Sequence, residues 1–183
     1  MSATNAFGSL ARAFHWTTAG LLLVQIPLAF FMVEQPLGPG KLGNYATHKS
    51  IGLLIFGVTV VRLAWRGTHP APPLPAVIPG WQRVVARVTQ FFLYALLCVM
   101  PLTGLLRSQA ANFQVSVFGL FRVPTFVGAD PELSKGLAAA HELQGEILLA
   151  LIGAHALAAL YHHFIRKDDV LRSMLPLASR GSV

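Results

Sequence analysis

Four long stretches of the chain are almost free of charge, and the polar and helix-breaking residues fall between them. The first, Phe14 to Val33, has no Lys, Arg, Asp or Glu and stops at Glu34-Gln35-Pro36, ahead of Gly38-Pro39-Gly40. The second runs from about His48 to Trp65 and ends at Arg66, before the proline-rich loop His69-Pro70-Ala71-Pro72-Pro73-Leu74-Pro75. The third, Val88 to Leu106, carries Pro101 and Gly104 near its end, and the fourth runs from about Leu137 to Ile165. Crossing about 30 Å of hydrocarbon takes roughly 20 helical residues, because every backbone polar group must be satisfied within the segment. The pattern therefore predicts an all-α, integral membrane four-helix bundle, with helices at about 14–33, 48–65, 88–106 and 137–165. With no internal repeat and no soluble domain, residues 1–183 read as a single domain. The first stretch is too long for the core of a signal peptide and contains His15, Gln25 and Pro27, with no small-x-small cleavage site after it. It reads as a retained helix. The loop at 107–136 has room for a short interfacial helix through Val115 to Phe121.

Composition agrees with a membrane protein and excludes a soluble globule: of 183 residues, 54% are hydrophobic and 11% charged, about half the usual charge. The net charge of +7 does not point to nucleic acid, since the basic residues flank apolar runs and form no dense patch on a polar chain. They are sorted by side instead. Arg12, Arg62, Arg66, Arg83, Arg87, Arg166, Lys167, Arg172 and Arg180 collect on one side against Asp168 and Asp169. Lys41, Lys49, Arg107, Arg122 and Lys135 share the other with Glu34, Asp130, Glu132, Glu142 and Glu146. By the positive-inside rule both termini face the cytoplasm, and the segments at 34–47 and 107–136 lie outside. The single cysteine, Cys98, permits no intramolecular disulfide, and no Cys-x-x-Cys-His site exists for thioether attachment of haem.

Histidine carries the candidate chemistry. His69 lies in the proline-rich loop and reads as solvated, whereas His15, His48, His141, His155, His162 and His163 lie in helices or at their ends. An ionisable group inside a membrane is expensive and marks function. His141 and His155 share the fourth helix 14 residues apart, which puts them within about 40° of one face and about 21 Å apart along the axis. One metal cannot bridge them, so they suit two sites at different depths. Topology puts His15 level with His155 and His48 level with His141. Zinc would want further Cys or carboxylate ligands, which are lacking. Two facing imidazoles instead suit the axial positions of haem iron, and filling both favours electron transfer over O₂ binding.

The residue four positions after each ligand candidate is small: Ala19, Gly52, Gly145 and Ala159. Small residues let a large flat group, or another helix, approach closely. After His69, His162 and His163 the same spacing gives Pro73, Arg166 and Lys167. His162 lies two turns beyond His155, about 10 Å nearer the cytoplasm, where it suits a proton donor, a haem-propionate partner, a quinone contact or a plain interfacial histidine. His163 points about 100° away and reads as an interface anchor.

The stretches Phe14-His15-Trp16, Thr47-His48-Lys49-Ser50-Ile51-Gly52, Val61-Arg62-Leu63, Met100-Pro101-Leu102-Thr103-Gly104, Ala140-His141-Glu142, Gly153-Ala154-His155-Ala156 and His162-His163-Phe164, in this order and spacing, resemble bacterial cytochrome b561. The resemblance runs from Phe14 to about Pro176. It implies a multi-pass protein of the bacterial inner membrane with two b-type haems, His15 and His155 holding the cytoplasmic-side haem and His48 and His141 the periplasmic-side one. A superoxide oxidase of this kind passes electrons from periplasmic superoxide to ubiquinone, and its quinone-associated histidine matches His162. The resemblance thus implies a superoxide:quinone oxidoreductase, with the lipid bilayer, quinone and a one-electron donor as partners and a protein partner not required. Because superoxide is an anion, the outer cations, Lys49 and Arg122 among them, suit its steering. They equally suit balancing the outer acids or binding propionates. Two other functions fit the residues: a cytochrome b anchor subunit relaying electrons from a partner dehydrogenase to quinone, and a haem-free small transporter or scaffold whose histidines bind protons or ions.

Overall fold

The structure, a computed structural model, describes residues 7–72 and 78–175; Pro73, Leu74, Pro75, Pro176 and Arg180 lie outside the described residues. Four long helices form, α1 (Ser9–Glu34), α2 (Pro39–Thr68), α3 (Gly80–Ala110) and α4 (Pro131–Tyr161). The fourth continues as a five-residue π-helix, His162–Arg166, so its apolar span reaches Arg166. All four are long and apolar enough to cross a membrane. They extend past the apolar runs because hydropathy marks what hydrocarbon covers, whereas a helix ends where its backbone finds a cap. At the start of α4, for example, the Asp130 carboxylate accepts from the Leu133 N–H at 3.0 Å, with Pro131 in the first turn and Glu132 against the helix dipole.

Large apolar side chains such as Leu23, Phe30, Phe91 and Leu157 face outward, the arrangement of a bundle solvated by lipid. The buried hydroxyls are satisfied within their own helices: Thr18, Ser50, Thr59 and Ser108 each donate to the carbonyl four residues back, at 2.7–2.9 Å. The central core joins Ile51 and Ile55 of α2, Leu97 of α3 and Leu148 of α4, with Leu21, Leu22 and Leu28 of α1 packed against it. Leu148 lies seven residues from both His141 and His155, so this apolar layer separates the two histidine levels.

Close backbone packing joins α1 to α2, α2 to α3 and α3 to α4, while neither α1 nor α2 packs closely along α4. α4 therefore stands further from α1 and α2 than from α3, and meets them through side chains such as Leu148. At one end of the bundle, the hairpin end, the loop after α3 forms a small hairpin, and at the other, the tail end, the chain after α4 folds back.

The hairpin corrects one expectation. Where the sequence left room for a short helix through Val115 to Phe121, Ser116–Val117 (β1) pairs antiparallel with Phe121–Arg122 (β2). Phe118 and Gly119 take φ of +49° and +72°, and Leu120 N–H closes the turn on Val117 O at 2.9 Å. Two consecutive left-handed residues make a hairpin turn and cannot continue a right-handed helix. Ser50 of α2 holds the hairpin down by accepting from the Phe118 N–H at 2.9 Å.

Candidate functional site

At the tail end, the rings of His15 (α1) and His155 (α4) lie with their centroids 6.2 Å apart. At the hairpin end, His48 (α2) and His141 (α4) lie with centroids 6.4 Å apart. The sequence pairs these four residues by depth, and the fold brings the same pairs together. Metal–imidazole bonds of about 2.0 Å on either side of one ion, with each ring nitrogen about 1.1 Å from its ring centre, put two such centroids about 6.2 Å apart. Both pairs therefore have the spacing of two imidazoles sharing one ion. Among the described residues no group of three or more His, Cys, Asp or Glu side chains gathers to hold a metal, so a metal at either level would need a macrocycle for its other ligands. The wider spacing between α4 and the α1–α2 pair is where such a flat group would lie.

The hairpin-end pair is held by neighbours that the sequence reading passed over. His141 Nδ1 lies 3.1 Å from the Met100 carbonyl oxygen; donating there fixes the tautomer and leaves Nε2 with its lone pair for a metal. The carbonyl belongs to the turn around Pro101. Thr103 Oγ1 lies 2.8 Å from Met100 O and from Gln144 Oε1, and 3.3 Å from His141 Nδ1. Gly104 lets α3 approach the ring so closely that a Cβ there would sit 3.0 Å from His141 Cε1. On the other side Gln25 of α1 donates to the His48 carbonyl at 3.0 Å and meets His48 Nε2 at 3.3 Å. His48 Nδ1 is buried with no hydrogen-bond partner among the described residues, a costly state that ligation would relieve, since the two ring edges are interchangeable by a flip. A lone amide in an apolar run was the available signal for Gln25, and the Met100-Pro101-Leu102-Thr103-Gly104 stretch gave no role to its last two residues.

The small residues divide. A Cβ on Gly52 would meet Gln25 Nε2 at 3.4 Å and one on Gly145 would meet Met100 Cε at 3.3 Å, both flexible side-chain ends. Gly104, which no spacing rule selected, makes the closest approach to a ligand candidate. Cations lie near both levels: Arg62 is within electrostatic reach of His15 and His155, and Arg107 of His48, Lys49 and His141. The Lys49 ammonium lies 5.4 Å over the Phe113 ring, and Arg122 is exposed on β2. Lys41 is occupied in capping α1, donating to Val33 O and Gln35 O at 3.1 and 2.8 Å. His69 is exposed at the end of α2, stacked on Trp65 with centroids 4.6 Å apart, and joins neither pair. His162 stands apart from both pairs and meets Asp168.

Comparison with known proteins decides what these pairs belong to. Residues 6–177 match the family model described as prokaryotic cytochrome b561. The chain belongs to the prokaryotic cytochrome b561 family. It is 35% identical to cytochrome b561 homolog 2 of Escherichia coli K12, covering 98% of this chain and 97% of that protein. It is 30% identical to cytochrome b561 homolog 1 of the same organism, over 94% and 98% of the two chains. It is also 30% identical to a probable superoxide oxidase, CybB, of Yersinia pestis, over 93% and 96%. Cytochromes b561 are haem b proteins that transfer electrons within a membrane, and this chain is accordingly a multi-pass protein of the bacterial inner membrane with a redox role. Membership sets aside the haem-free transporter or scaffold.

Proposed function

We propose that the chain holds two haems b, one between His15 and His155 and one between His48 and His141, and transfers electrons from periplasmic superoxide to ubiquinone. The observation that carries this reading is the pair of facing imidazoles at ligand spacing on each side of an apolar core. Held by two imidazoles at each level, haem b would supply one-electron transfer. The chain's residues orient the imidazoles, chiefly through the Met100 carbonyl at His141, and keep water out of the layer between the levels. In the orientation drawn from the basic residues, the hairpin end faces the periplasm and the tail end the cytoplasm. Lys49 and Arg107 then put positive charge beside the His48–His141 pair, and Arg122 adds to it from the hairpin at the same end, raising the local concentration of an anionic donor. The overall reaction removes one electron from each of two superoxide ions, releasing two O₂, and with two protons converts one ubiquinone to ubiquinol at the cytoplasmic end, next to His162. The likeness to a probable superoxide oxidase supports the donor.

A reduced-minus-oxidised spectrum with pyridine haemochrome quantification tests the cofactor: two haems b per chain are expected, and one or none refutes the assignment. Rapid mixing of the oxidised protein with superoxide, then of the reduced protein with ubiquinone, tests donor and acceptor. Failure of superoxide to reduce the haems moves the chain to the relay role for a partner dehydrogenase.

A further inference from the structure

The end of the fourth span is built to bring a carboxylate behind His162. The chain leaves α4 through the π-helix and reverses at Lys167, which takes a left-handed φ of +54°. This returns Asp168 to the helix end, where its N–H donates to the His162 carbonyl at 3.2 Å and its Oδ2 lies 2.6 Å from His162 Nδ1. The other carboxylate oxygen accepts from the Val170 N–H at 3.1 Å, so the rotamer is fixed. Both side chains are shielded, 13% and 11% exposed. The segment that carries Asp168 is in turn tied to the start of α1: Trp16 Nε1 donates to Met174 O at 2.6 Å and Arg12 to Leu175 O at 3.0 Å. Trp16 follows His15 directly, so these ties hold the His162–Asp168 couple at the end of the bundle that carries the His15–His155 pair.

A histidine that merely anchors a helix at the lipid interface has no use for such a couple. A left-handed non-glycine residue and a shielded carboxylate both cost free energy. What the couple achieves chemically is specific: a carboxylate accepting from Nδ1–H selects the tautomer, steadies the ring when it is protonated, and leaves Nε2 as the nitrogen that exchanges a proton. We propose that Asp168 is the positioning residue for His162 in proton delivery to the quinone, holding Nδ1–H so that Nε2 gives its proton to the quinone oxygen. This rests on the reading of His162 as part of the quinone site. The quinone takes up two electrons and two protons in all. The two protons come from cytoplasmic water through Nε2 in succession, and the carboxylate ends each cycle as it began. The neighbouring Asp169 is not equivalent, being 46% exposed and 3.7 Å from Arg172.

The test compares two acceptors in single-turnover reoxidation of the reduced holoprotein: ubiquinone, which takes up protons, and ferricyanide, which takes only an electron. Asp168→Asn keeps the shape and removes the charge; it should slow reoxidation by ubiquinone about tenfold or more, with KM for quinone little changed and ferricyanide reoxidation at the wild-type rate. Asp168→Glu should recover more of the rate than Asp168→Asn, and Asp169→Asn should behave as wild type. Proton NMR of the reduced protein should show a strongly downfield Nδ1 proton that disappears in both Asp168→Asn and His162→Gln. If His162→Gln reoxidises normally with ubiquinone, the quinone reading of His162 fails and this inference with it. If His162→Gln is slow while Asp168→Asn is normal, or if the asparagine outperforms the glutamate, the quinone reading stands and the role of Asp168 is overturned. Equal slowing with both acceptors assigns Asp168 a structural role and likewise overturns it.

Discussion

Gly104→Ala is a one-carbon change that should deplete the haem proposed between His48 and His141 while leaving the helices intact. The added Cβ would lie 3.0 Å from His141 Cε1 and 3.3 Å from Nδ1, at least about 0.4 Å inside ordinary carbon–carbon contact. The ring is not free to retreat, because Nδ1 is held 3.1 Å from the Met100 carbonyl on the same side; backing off by about 0.5 Å stretches that contact beyond hydrogen-bonding distance. The lost hydrogen bond, about 1 kcal/mol, adds to an overpacking cost of about 1–2 kcal/mol. A total of about 2–3 kcal/mol corresponds to roughly 30- to 150-fold weaker haem binding. Alanine favours a helix over glycine by up to about 1 kcal/mol, so a failing α3 would not explain haem loss. Haem content by pyridine haemochrome, read with the reduced spectrum, should show selective depletion of the His48–His141 component. Gly145→Ala and Gly52→Ala should have much smaller effects, since their new methyls meet the flexible ends of Met100 and Gln25. A Gly104→Ala protein with both haems at full occupancy and an unshifted spectrum would refute the argument that this glycine seats the ligand.

Leu in place of His48 or His141 should remove one spectral component, and Leu in place of His15 or His155 the other; loss of the same component from the His48 and His155 variants would break the pairing. Gly52→Leu or Gly145→Leu, unlike the alanines, should deplete the His48–His141 haem by filling its cavity, and full occupancy in both would mean that these glycines serve helix packing alone. If cations at the hairpin end steer superoxide, reduction of the haems by superoxide should slow as ionic strength rises, while reduction by a neutral donor should change little. Charge reversal at Lys49 or Arg122 should flatten that dependence, and an unchanged slope in stopped-flow traces would leave both residues with structural roles. Replacing Gln25 with Leu should remove the amide that meets His48 Nε2 and donates to its carbonyl and shift the spectrum or potential of the haem proposed there without emptying the site, as loss of a neighbour that orients a ligand does; an unmoved potential would count against that role.

The apolar runs were enough to fix the number of spans, because hydrocarbon imposes a length and a polarity that composition alone reports. The four ligand candidates were legible for a related reason. A helix advances by a constant rise and turn, so 14 residues between His141 and His155 already place two levels on one face, and the alternation of spans supplies a partner for each. The helix ends were less legible, since caps such as Asp130 lie in polar sequence that hydropathy does not weigh. The hairpin at Ser116–Arg122 was not legible because Phe118 and Gly119 take left-handed conformations that an apolar run does not announce.

What only the tertiary structure decided concerns contacts between residues far apart in the chain. Gly104 and His141, Gln25 and His48, and Trp16 and Met174 meet through helix packing and chain reversal, and no periodicity within one helix contains that information. Asp168 is the plainest case. In the sequence it is one of two adjacent acids after a basic pair, counted only as charge on one side of the membrane. The π-helix and the left-handed Lys167 distinguish it from Asp169, turning one carboxylate inward to His162 and leaving the other near Arg172 in contact with solvent. Spacing along a helix places ligands at a depth, but the direction in which a chain turns at a helix end is settled by the backbone conformation of single residues.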